Sequence, residues 1–196
     1  LLPGNHSIEA LFRTSNEELL FFTDKANWIY DRAGDSLRQY RFENLPEDIY
    51  TRSATEDSKN NLYLGTSKGL YIYDHHRQFV RHIPADSKKT EALPDGYVSF
   101  LTTDREGKIW IVSSYNKVSC WDPERQELKH IDHLDNVRQL LDYNDSTLLA
   151  GTFHGLALLH KRTLQPTYIS MNIGEKGGLS HFPSCPCIRT TKKIYG

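Results

Sequence analysis

Short apolar runs separated by polar turns recur along the whole chain. Four of the runs are the densest, and each ends in a small hydroxyl residue; they cover 19–23, 61–66, 109–113 and 148–152. Runs of this length, bounded by turns rich in Asp, Asn, Ser and Gly, predict β-strands rather than helices. The pattern therefore indicates a protein built from many short strands.

The hydroxyl residue at the end of each dense run sets the period of the repeat. Thr23, Thr66, Ser113 and Thr152 follow one another at intervals of 43, 47 and 39 residues. A shorter apolar-polar run precedes each dense run, and two further strand-like runs follow it. Periods of about 40–50 residues with four strands each are typical of β-propeller blades.

We therefore predict an all-β fold: a β-propeller fragment of four-stranded antiparallel blades, with about four complete blades and a partial fifth. The whole chain, 1–196, forms a single propeller segment in this interpretation. The predicted blades cover about 8–45, 49–86, 98–133 and 137–171, and the partial blade covers 178–196. We expect the chain to be a segment of a longer protein, with exposed blade faces that something else must cover.

The dense run of each repeat does not alternate between apolar and polar residues. A strand that is packed on both faces by neighbouring sheets reads as a continuous apolar run. We therefore expect the second strand of each blade to lie between two other blades. The last strand of each repeat is more polar, as expected for an exposed edge.

Composition narrows the functional classes. The 24 basic and 25 acidic residues give a formal net charge of −1, which disfavours nucleic-acid binding through this segment. No apolar stretch approaches the roughly 20 residues of a membrane-spanning helix. Cys120, Cys185 and Cys187 are odd in number and do not form a disulfide framework.

The residue types that carry chemistry do not form a catalytic or metal-binding pattern. Asp and Glu are concentrated in hairpin turns, where they bond the local backbone. Cys185 and Cys187 are separated by one residue, whereas zinc sites usually place two to four residues between such ligands. We predict no catalytic residues, no metal site and no cofactor, and no enzymatic activity for this segment.

The second and third repeats resemble the two-component regulator propeller repeat. The resemblance is carried by the stretch from Leu62-Tyr63-Leu64-Gly65-Thr66 through Gly69-Leu70 to Tyr73-Asp74, by Leu93-Pro94-Asp95-Gly96, and by Asp104 through Gly107 to Ile109-Trp110-Ile111. The fourth repeat matches in part at Gly151-Thr152 and Gly155-Leu156. The first repeat lacks the Gly-Leu pair, and Ser113 and 116–118 depart from the pattern in the third.

That resemblance implies a ligand-sensing, extracytoplasmic (periplasmic) part of an inner-membrane hybrid two-component histidine kinase and response regulator. The parent protein would then be a histidine kinase that signals by phosphorelay, with a carbohydrate as its ligand. The implied partners are an oligosaccharide, the remaining propeller blades and kinase domains of the parent chain, and a second copy of the protein in a homodimer.

A propeller binds ligands on the face formed by its second-to-third strand turns and its blade-to-blade connections. Aromatic rings together with amides and charges suit a sugar. Our candidate ligand-binding residues are Lys68, Tyr97, Tyr115, Asn116 and His154. Lys25, Asn27, Asp95 and Phe153 belong to the same predicted face, and ordinary loop composition also accounts for all of these residues.

Two alternative functions stay open at this stage. A propeller can serve as a protein-interaction scaffold, and Trp121-Asp122 is the dipeptide of WD40 repeats, although it occurs once. Some propellers are lyases or hydrolases, so the fold itself does not exclude an enzyme.

Overall fold

A computed structural model describes residues 7–86, 88, 91–94, 96–114, 117–153 and 155–169. Within those ranges it contains no α-helix and sixteen strands. The predicted partial blade, 178–196, lies outside the described residues. The strands are β1 (Ile8–Arg13), β2 (Leu19–Thr23), β3 (Asn27–Asp31), β4 (Ser36–Tyr40), β5 (Thr51–Glu56), β6 (Leu62–Thr66), β7 (Gly69–Tyr73), β8 (Phe79–Pro84), β9 (Val98–Thr103), β10 (Ile109–Ser113), β11 (Val118–Asp122), β12 (Glu127–Ile131), β13 (Val137–Asn144), β14 (Thr147–Thr152), β15 (Gly155–His160) and β16 (Pro166–Ile169).

The strands form four antiparallel sheets of four, each in the order in which its strands occur along the chain. We number these sheets blades 1 to 4. The first strands of successive blades, β1, β5, β9 and β13, contact one another, so each blade turns its first strand toward a common inner side. The predicted all-β class with four-stranded antiparallel blades is confirmed.

Three hydrophobic clusters fill the spaces between successive blades. Tyr73 and Phe22 are fully buried between blades 1 and 2, Tyr63 between blades 2 and 3, and Trp110 between blades 3 and 4. Burial of large apolar side chains is the main favourable contribution to such packing. The core is therefore a row of inter-blade layers rather than one central cluster.

The second strands show how position in the row determines burial. Every residue of β6 and of β10 is buried, because these strands have a blade on each side. In β2 and β14, residues that point away from the neighbouring blade, such as Phe21 and Leu149, are partly exposed. The continuous apolar pattern is the same in all four repeats, but the packing that it predicts occurs fully in the two inner blades.

The hydroxyl residue at the end of each second strand closes the hairpin to the third strand. Thr23, Thr66 and Thr152 donate from Oγ1 to the carbonyl of the residue three positions later, at 2.8, 2.8 and 2.9 Å. Ser113 donates to the carbonyl of Lys117 at 3.4 Å. The most regular feature of the repeat is therefore a turn-forming contact, not a site for chemistry.

In each inner blade an aspartate closes the hairpin between the first and second strands. Asp57 accepts hydrogen bonds from the backbone N–H groups of Lys59 and Asn61, at 2.9 and 3.0 Å, and from the hydroxyl of Tyr63 at 2.9 Å. Asp104 repeats this arrangement in blade 3, where Trp110 Nε1 donates to it at 2.8 Å. A short acceptor side chain that bonds its own backbone stabilises a tight turn.

Candidate ligand-binding face

The face predicted to bind ligand is formed by the second-to-third strand turns and by the connections between blades. Lys68 lies in the β6–β7 turn, and Tyr97 comes directly before β9, where its backbone bonds the turn that follows β10. The structure therefore places both on this face. Tyr115, Asn116, His154 and Asp95 lie outside the described residues, and their role stays a prediction.

Lys68 is exposed, and its backbone holds the blade connection in place. Its carbonyl accepts hydrogen bonds from the backbone N–H of Ala85 at 3.1 Å and from the ring of His82, Nε2 at 3.0 Å. The His82 ring stacks on Tyr71, with the centroids 4.1 Å apart. The ammonium group of Lys68 has no ion-pair partner among the described residues, so it can contact a bound polar molecule.

Tyr97 is part of a stack that sequence reasoning did not identify. The guanidinium of Arg52 lies over the Tyr97 ring at 4.3 Å and over the Tyr50 ring at 5.2 Å, and it pairs with Glu9 at 3.8 Å. Cation–π contacts of this kind hold an arginine and the rings in a fixed orientation. One face of the Tyr97 ring is thus covered by Arg52, and the side chain is 39% exposed.

A second stack of the same type occurs at blade 4. The guanidinium of Arg138 lies 4.2 Å from the centre of the Phe153 ring, and Phe153 is 56% exposed. Arg52 and Arg138 occupy equivalent positions, because each is the extra residue of a bulge at the start of the first strand of its blade. Glu9 and Ser99 hold that position in blades 1 and 3.

These four bulges could have been found from the sequence. Each bulge residue is polar and directly follows the residue that pairs with the hydroxyl landmark, so the position recurs with the repeat. Bulges re-aim side chains and are frequent next to functional sites. The inner rim of the predicted face therefore carries Glu9, Arg52, Ser99 and Arg138, with Tyr50, Tyr97 and Phe153 beside them.

A cavity of about 260 Å³ opens on the same face at blade 1. Its lining includes Lys25 from the β2–β3 turn and Asn27 at the start of β3. It also includes Tyr40, Arg41 and Glu47 from the end of blade 1 and the connection to blade 2. Arg41 and Glu47 form an ion pair at 3.0 Å. Lys25 and Asn27 were predicted to belong to this face, whereas the contribution of the connection depends on the tertiary fold.

One pair of side chains has the chemistry of a nucleophile and a base. Ser119 Oγ lies 2.9 Å from His130 Nδ1 across β11 and β12. Ser119 is fully buried, so no substrate reaches its hydroxyl. This pair therefore cross-links two strands rather than activating a nucleophile.

The ranges that the structure describes hold no cluster of three His, Cys, Asp or Glu side chains arranged for a metal ion. The same ranges include no helix that is long and apolar enough to span a membrane.

Comparison with known proteins places this chain by its fold. No family model matches the sequence, and no curated protein matches it. An extracellular domain assigned to a hybrid two-component system of Bacteroides thetaiotaomicron superimposes with a TM-score of 0.67 at 15% identity, over 84% of this chain and 25% of that one. Streptogramin B lyase gives a TM-score of 0.68 at 9% identity, over 89% of this chain and 58% of that one.

The WD40 repeats of RRP9 give a TM-score of 0.65 at 12% identity, over 87% of this chain and 53% of that one. This chain thus spans 25% of the extracellular domain and little more than half of the other two proteins. An extracellular domain of a two-component system, a lyase and a WD40 protein share this architecture. The likeness therefore establishes the β-propeller fold and does not establish the function.

Proposed function

We propose that this chain is the ligand-sensing propeller part of a hybrid two-component system, that it lies outside the cytoplasmic membrane, and that its ligand is an oligosaccharide. The observation that carries the proposal is the combination of two-component-type repeats with a fold shared by an extracellular domain of such a system. The parent protein would supply the histidine kinase and the phosphorelay.

The chemistry of the candidate face supports a polar ligand. Lys68, Arg52 and Arg138 supply charged donors. Tyr97 and Phe153 offer partly exposed rings. Sugars bind where a ring contacts their C–H faces and polar groups hold their hydroxyls. Because Arg52 and Arg138 are fixed against those rings, the rings and the donors are already oriented before a ligand arrives.

The proposal also says what covers the outward apolar faces of blades 1 and 4. Leu11, Phe21 and Trp28 lie opposite one another on the face of blade 1 that points away from blade 2. The residue equivalent to Phe21 is Leu64 in blade 2 and Ile111 in blade 3, and both are fully buried. We propose that further blades of the same ring cover this face and the corresponding face of blade 4.

A panel of oligosaccharides tests the proposed ligand class by thermal unfolding. We expect one class of oligosaccharide to raise the unfolding temperature in a saturable way, because a ligand that binds only the folded state stabilises it. Tyr97→Ala removes a ring of the candidate face and should reduce the shift, whereas Val80→Ala on the outer strand of blade 2 should not. A panel without any saturable shift would contradict a carbohydrate ligand.

A protein-interaction scaffold is the second candidate, and the uncovered apolar faces of blades 1 and 4 favour it. In that case the occupant is a second copy of this chain rather than a further blade. Sequencing the gene around this segment separates the two proposals. A transmembrane segment and a kinase domain in the same reading frame would support the sensor, and a parent protein without them would support the scaffold.

Catalysis is not part of the proposed function. The likeness to streptogramin B lyase extends to the fold, and the serine of the serine–histidine pair described above, Ser119, is buried. Turnover of an oligosaccharide by the purified chain, lost on substitution of an acidic residue of the candidate face, would contradict this view.

A further inference from the structure

A cleft of about 480 Å³ lies between blades 3 and 4, on the side of the fold opposite to the candidate face. It is formed by the first-to-second and third-to-fourth strand turns of the two blades. Its volume lies within the range of about 300–1,000 Å³ that is usual for small-molecule sites. We call it the blade 3–4 cleft. Its lining consists of Glu106, Lys108, Cys120, Asp122, Arg125, Glu127, Lys129, Asp145, Ser146, His160, Lys161, Arg162 and Leu164.

The lining is strongly charged and contains no Phe, Tyr or Trp side chain. Without an aromatic platform the cleft does not offer the stacking surface that a neutral sugar or another flat apolar molecule uses. Its thiol is not a reactive group either, because burial raises the pKa of Cys120 to about 12. Recognition in this cleft therefore depends on charge and hydrogen bonding.

Each carboxylate of the lining already has a cationic partner. Glu106 pairs with Lys108 at 2.6 Å, and Asp122 pairs with Arg125 at 2.9 Å. The two remaining carboxylates are satisfied in the same way: Glu127 pairs with Lys129 at 3.1 Å and Asp145 with Arg105 at 3.1 Å.

Not every cation of the lining has a carboxylate partner. Lys161, whose side chain is 2% exposed, pairs with Asp142 at 2.6 Å and lies 3.9 Å from Asp104. Arg162, the next residue, is exposed and forms no ion pair with any described residue. One guanidinium group thus contributes positive charge that no carboxylate of the described chain neutralises.

The positive charge extends across the cleft to blade 3. The hydrogen bond from Lys108 lowers the pKa of Glu106, and the charges of Lys161 and Arg162 lower it further. These two residues belong to blade 4, so their field acts on the blade 3 wall of the cleft. An anion placed between the two walls would interact favourably with Arg162 and with Lys108.

We propose that the blade 3–4 cleft binds a small organic carboxylate, which pairs with the guanidinium of Arg162 and bridges the two blades. A planar guanidinium binds a carboxylate through two parallel N–H···O hydrogen bonds, and such charge-assisted pairs are among the strongest in proteins. This site is independent of the candidate face and of the sensor function proposed above, since it lies on the other side of the fold.

Two sugars that differ in one group provide the test. D-Galacturonate carries a carboxylate where D-galactose carries a hydroxymethyl group, so a comparison of the two isolates the charge. Binding is measured by calorimetry on the full chain at constant ionic strength, with sodium acetate as the simplest carboxylate. We expect saturable binding of galacturonate and no detectable binding of galactose in the cleft.

Variants assign the site. Arg162→Gln removes the charge of an exposed side chain, so folding is retained, and it should weaken galacturonate binding about tenfold, the effect of losing one charge-assisted pair. Arg38→Gln is the matched control, because Arg38 is exposed on β4 of blade 1 and lines neither the cleft nor the cavity of the candidate face. Unchanged affinity in Arg162→Gln, or equal binding of galactose and galacturonate, would overturn the proposal.

The outcome also separates this site from the proposed oligosaccharide site. Binding that is lost in Tyr97→Ala and retained in Arg162→Gln belongs to the candidate face and overturns the cleft proposal. Binding that is lost in Arg162→Gln and retained in Tyr97→Ala supports the cleft, whether or not the candidate face binds an oligosaccharide.

Discussion

Single residues of the repeat act mainly within their own turn. Thr66 is fully buried, its hydroxyl donates to the carbonyl of Gly69, and the backbone N–H of Lys68 donates to that hydroxyl at 3.1 Å. One small side chain thus bonds two backbone groups of its own turn. Such contacts explain why the same residue types recur at the same place, and they carry no information about ligand.

Gly65 shows how the same residue type can have different importance in two blades. A Cβ at Gly65 would lie 2.5 Å from Cγ1 of Val98 in blade 3, whereas a Cβ at the equivalent Gly151 would have Gln139 O as its nearest neighbour, at 4.0 Å. The absence of a side chain at Gly65 allows blades 2 and 3 to approach closely.

We expect Gly65→Ala to lower the free energy of unfolding by about 1–3 kcal/mol through overpacking, and Gly151→Ala to change it by less than about 0.5 kcal/mol. Urea unfolding monitored by tryptophan fluorescence measures both variants. Equal losses for the two alanine variants would show that backbone conformation, rather than inter-blade contact, selects glycine here. In a longer protein with a further blade against blade 4, Gly151→Ala should become destabilising.

Asp74 gives a pH dependence at the scale of one side chain. Asp74 Oδ1 accepts hydrogen bonds from the backbone N–H groups of Gln78 and His76, at 2.9 and 2.8 Å respectively. These hydrogen bonds favour the charged form and lower the pKa of Asp74 below its ordinary value. Since the pKa is lower in the folded state, the contribution of Asp74 to stability is present above the ordinary aspartate pKa and is lost as the pH falls through the folded-state pKa.

We therefore expect Asp74→Asn to make the unfolding midpoint less sensitive to acid than it is in the unaltered chain. The measurement is the urea midpoint at a series of pH values between neutrality and about pH 3, a range that spans ordinary carboxyl pKa values. Asp132→Asn, at an exposed position, serves as the control. An Asp74→Asn curve parallel to that of the unaltered chain would contradict the assignment.

At the scale of elements, cations in the turn between the third and fourth strands contact the preceding blade. Lys161 follows β15 in blade 4 and lies near Asp104 in blade 3, as given above. Arg77 follows β7 in blade 2 and pairs with Glu18 of blade 1 at 3.1 Å. The same turn thus carries a cation that reaches the preceding blade at two of the three junctions, and this cation is buried at Lys161 and half-buried at Arg77. Forming such a pair costs free energy, because both charges leave water. Removing one partner costs more, because it leaves a buried charge without a counter-charge.

Lys161→Met removes the cation from the junction of blades 3 and 4. Asp142 and the buried Asp104 then lose their ammonium partner, and we expect the free energy of unfolding to fall by about 3 kcal/mol. Arg125→Met is the control: Arg125 forms an exposed pair with Asp122, and its loss should cost about 1 kcal/mol or less. Calorimetric unfolding that gave the two variants the same stability would refute the proposed inter-blade role.

At the scale of the whole molecule, the four blades form a row, and no described residue covers the apolar face at either end of it. On blade 4 this face carries Leu141, Leu149 and Leu158, which lie opposite one another across β13, β14 and β15. Leu141 is 60% exposed, and Leu149 occupies the position of the fully buried Trp110 in blade 3. Contiguous apolar surface of this kind marks an interaction site or a source of aggregation.

We expect the isolated chain to self-associate through these end faces, and Leu141→Lys to reduce that association. A charge on the apolar face would be buried in the associated form, which is unfavourable. Val80→Lys introduces the same charge at a residue that is 59% exposed on the outer strand of blade 2, and it should have little effect. Sedimentation velocity over a concentration series distinguishes the two, and a monomeric unaltered chain would contradict the prediction.

The sequence by itself determined the fold class, the number of strands per blade and the position of each hairpin within the described residues. It could do so because these features depend on local patterns: apolar runs of strand length, and Thr, Asp and Gly at turns that need them. The turn positions of Lys68 and Tyr97 followed from the sequence for the same reason, since a turn lies at a fixed end of its strands, whereas their role in binding stays a prediction.

Only the tertiary structure decided which of these residues meet. The Arg52–Tyr97 stack joins residues from two blades, and the blade 3–4 cleft joins turns that are distant along the chain. It also decided that Gly65 is packed and Gly151 is not, although both stand before the same hydroxyl residue of the repeat. Contacts between blades depend on the twist and spacing of whole sheets, and those quantities arise from the packing of many side chains rather than from any local pattern.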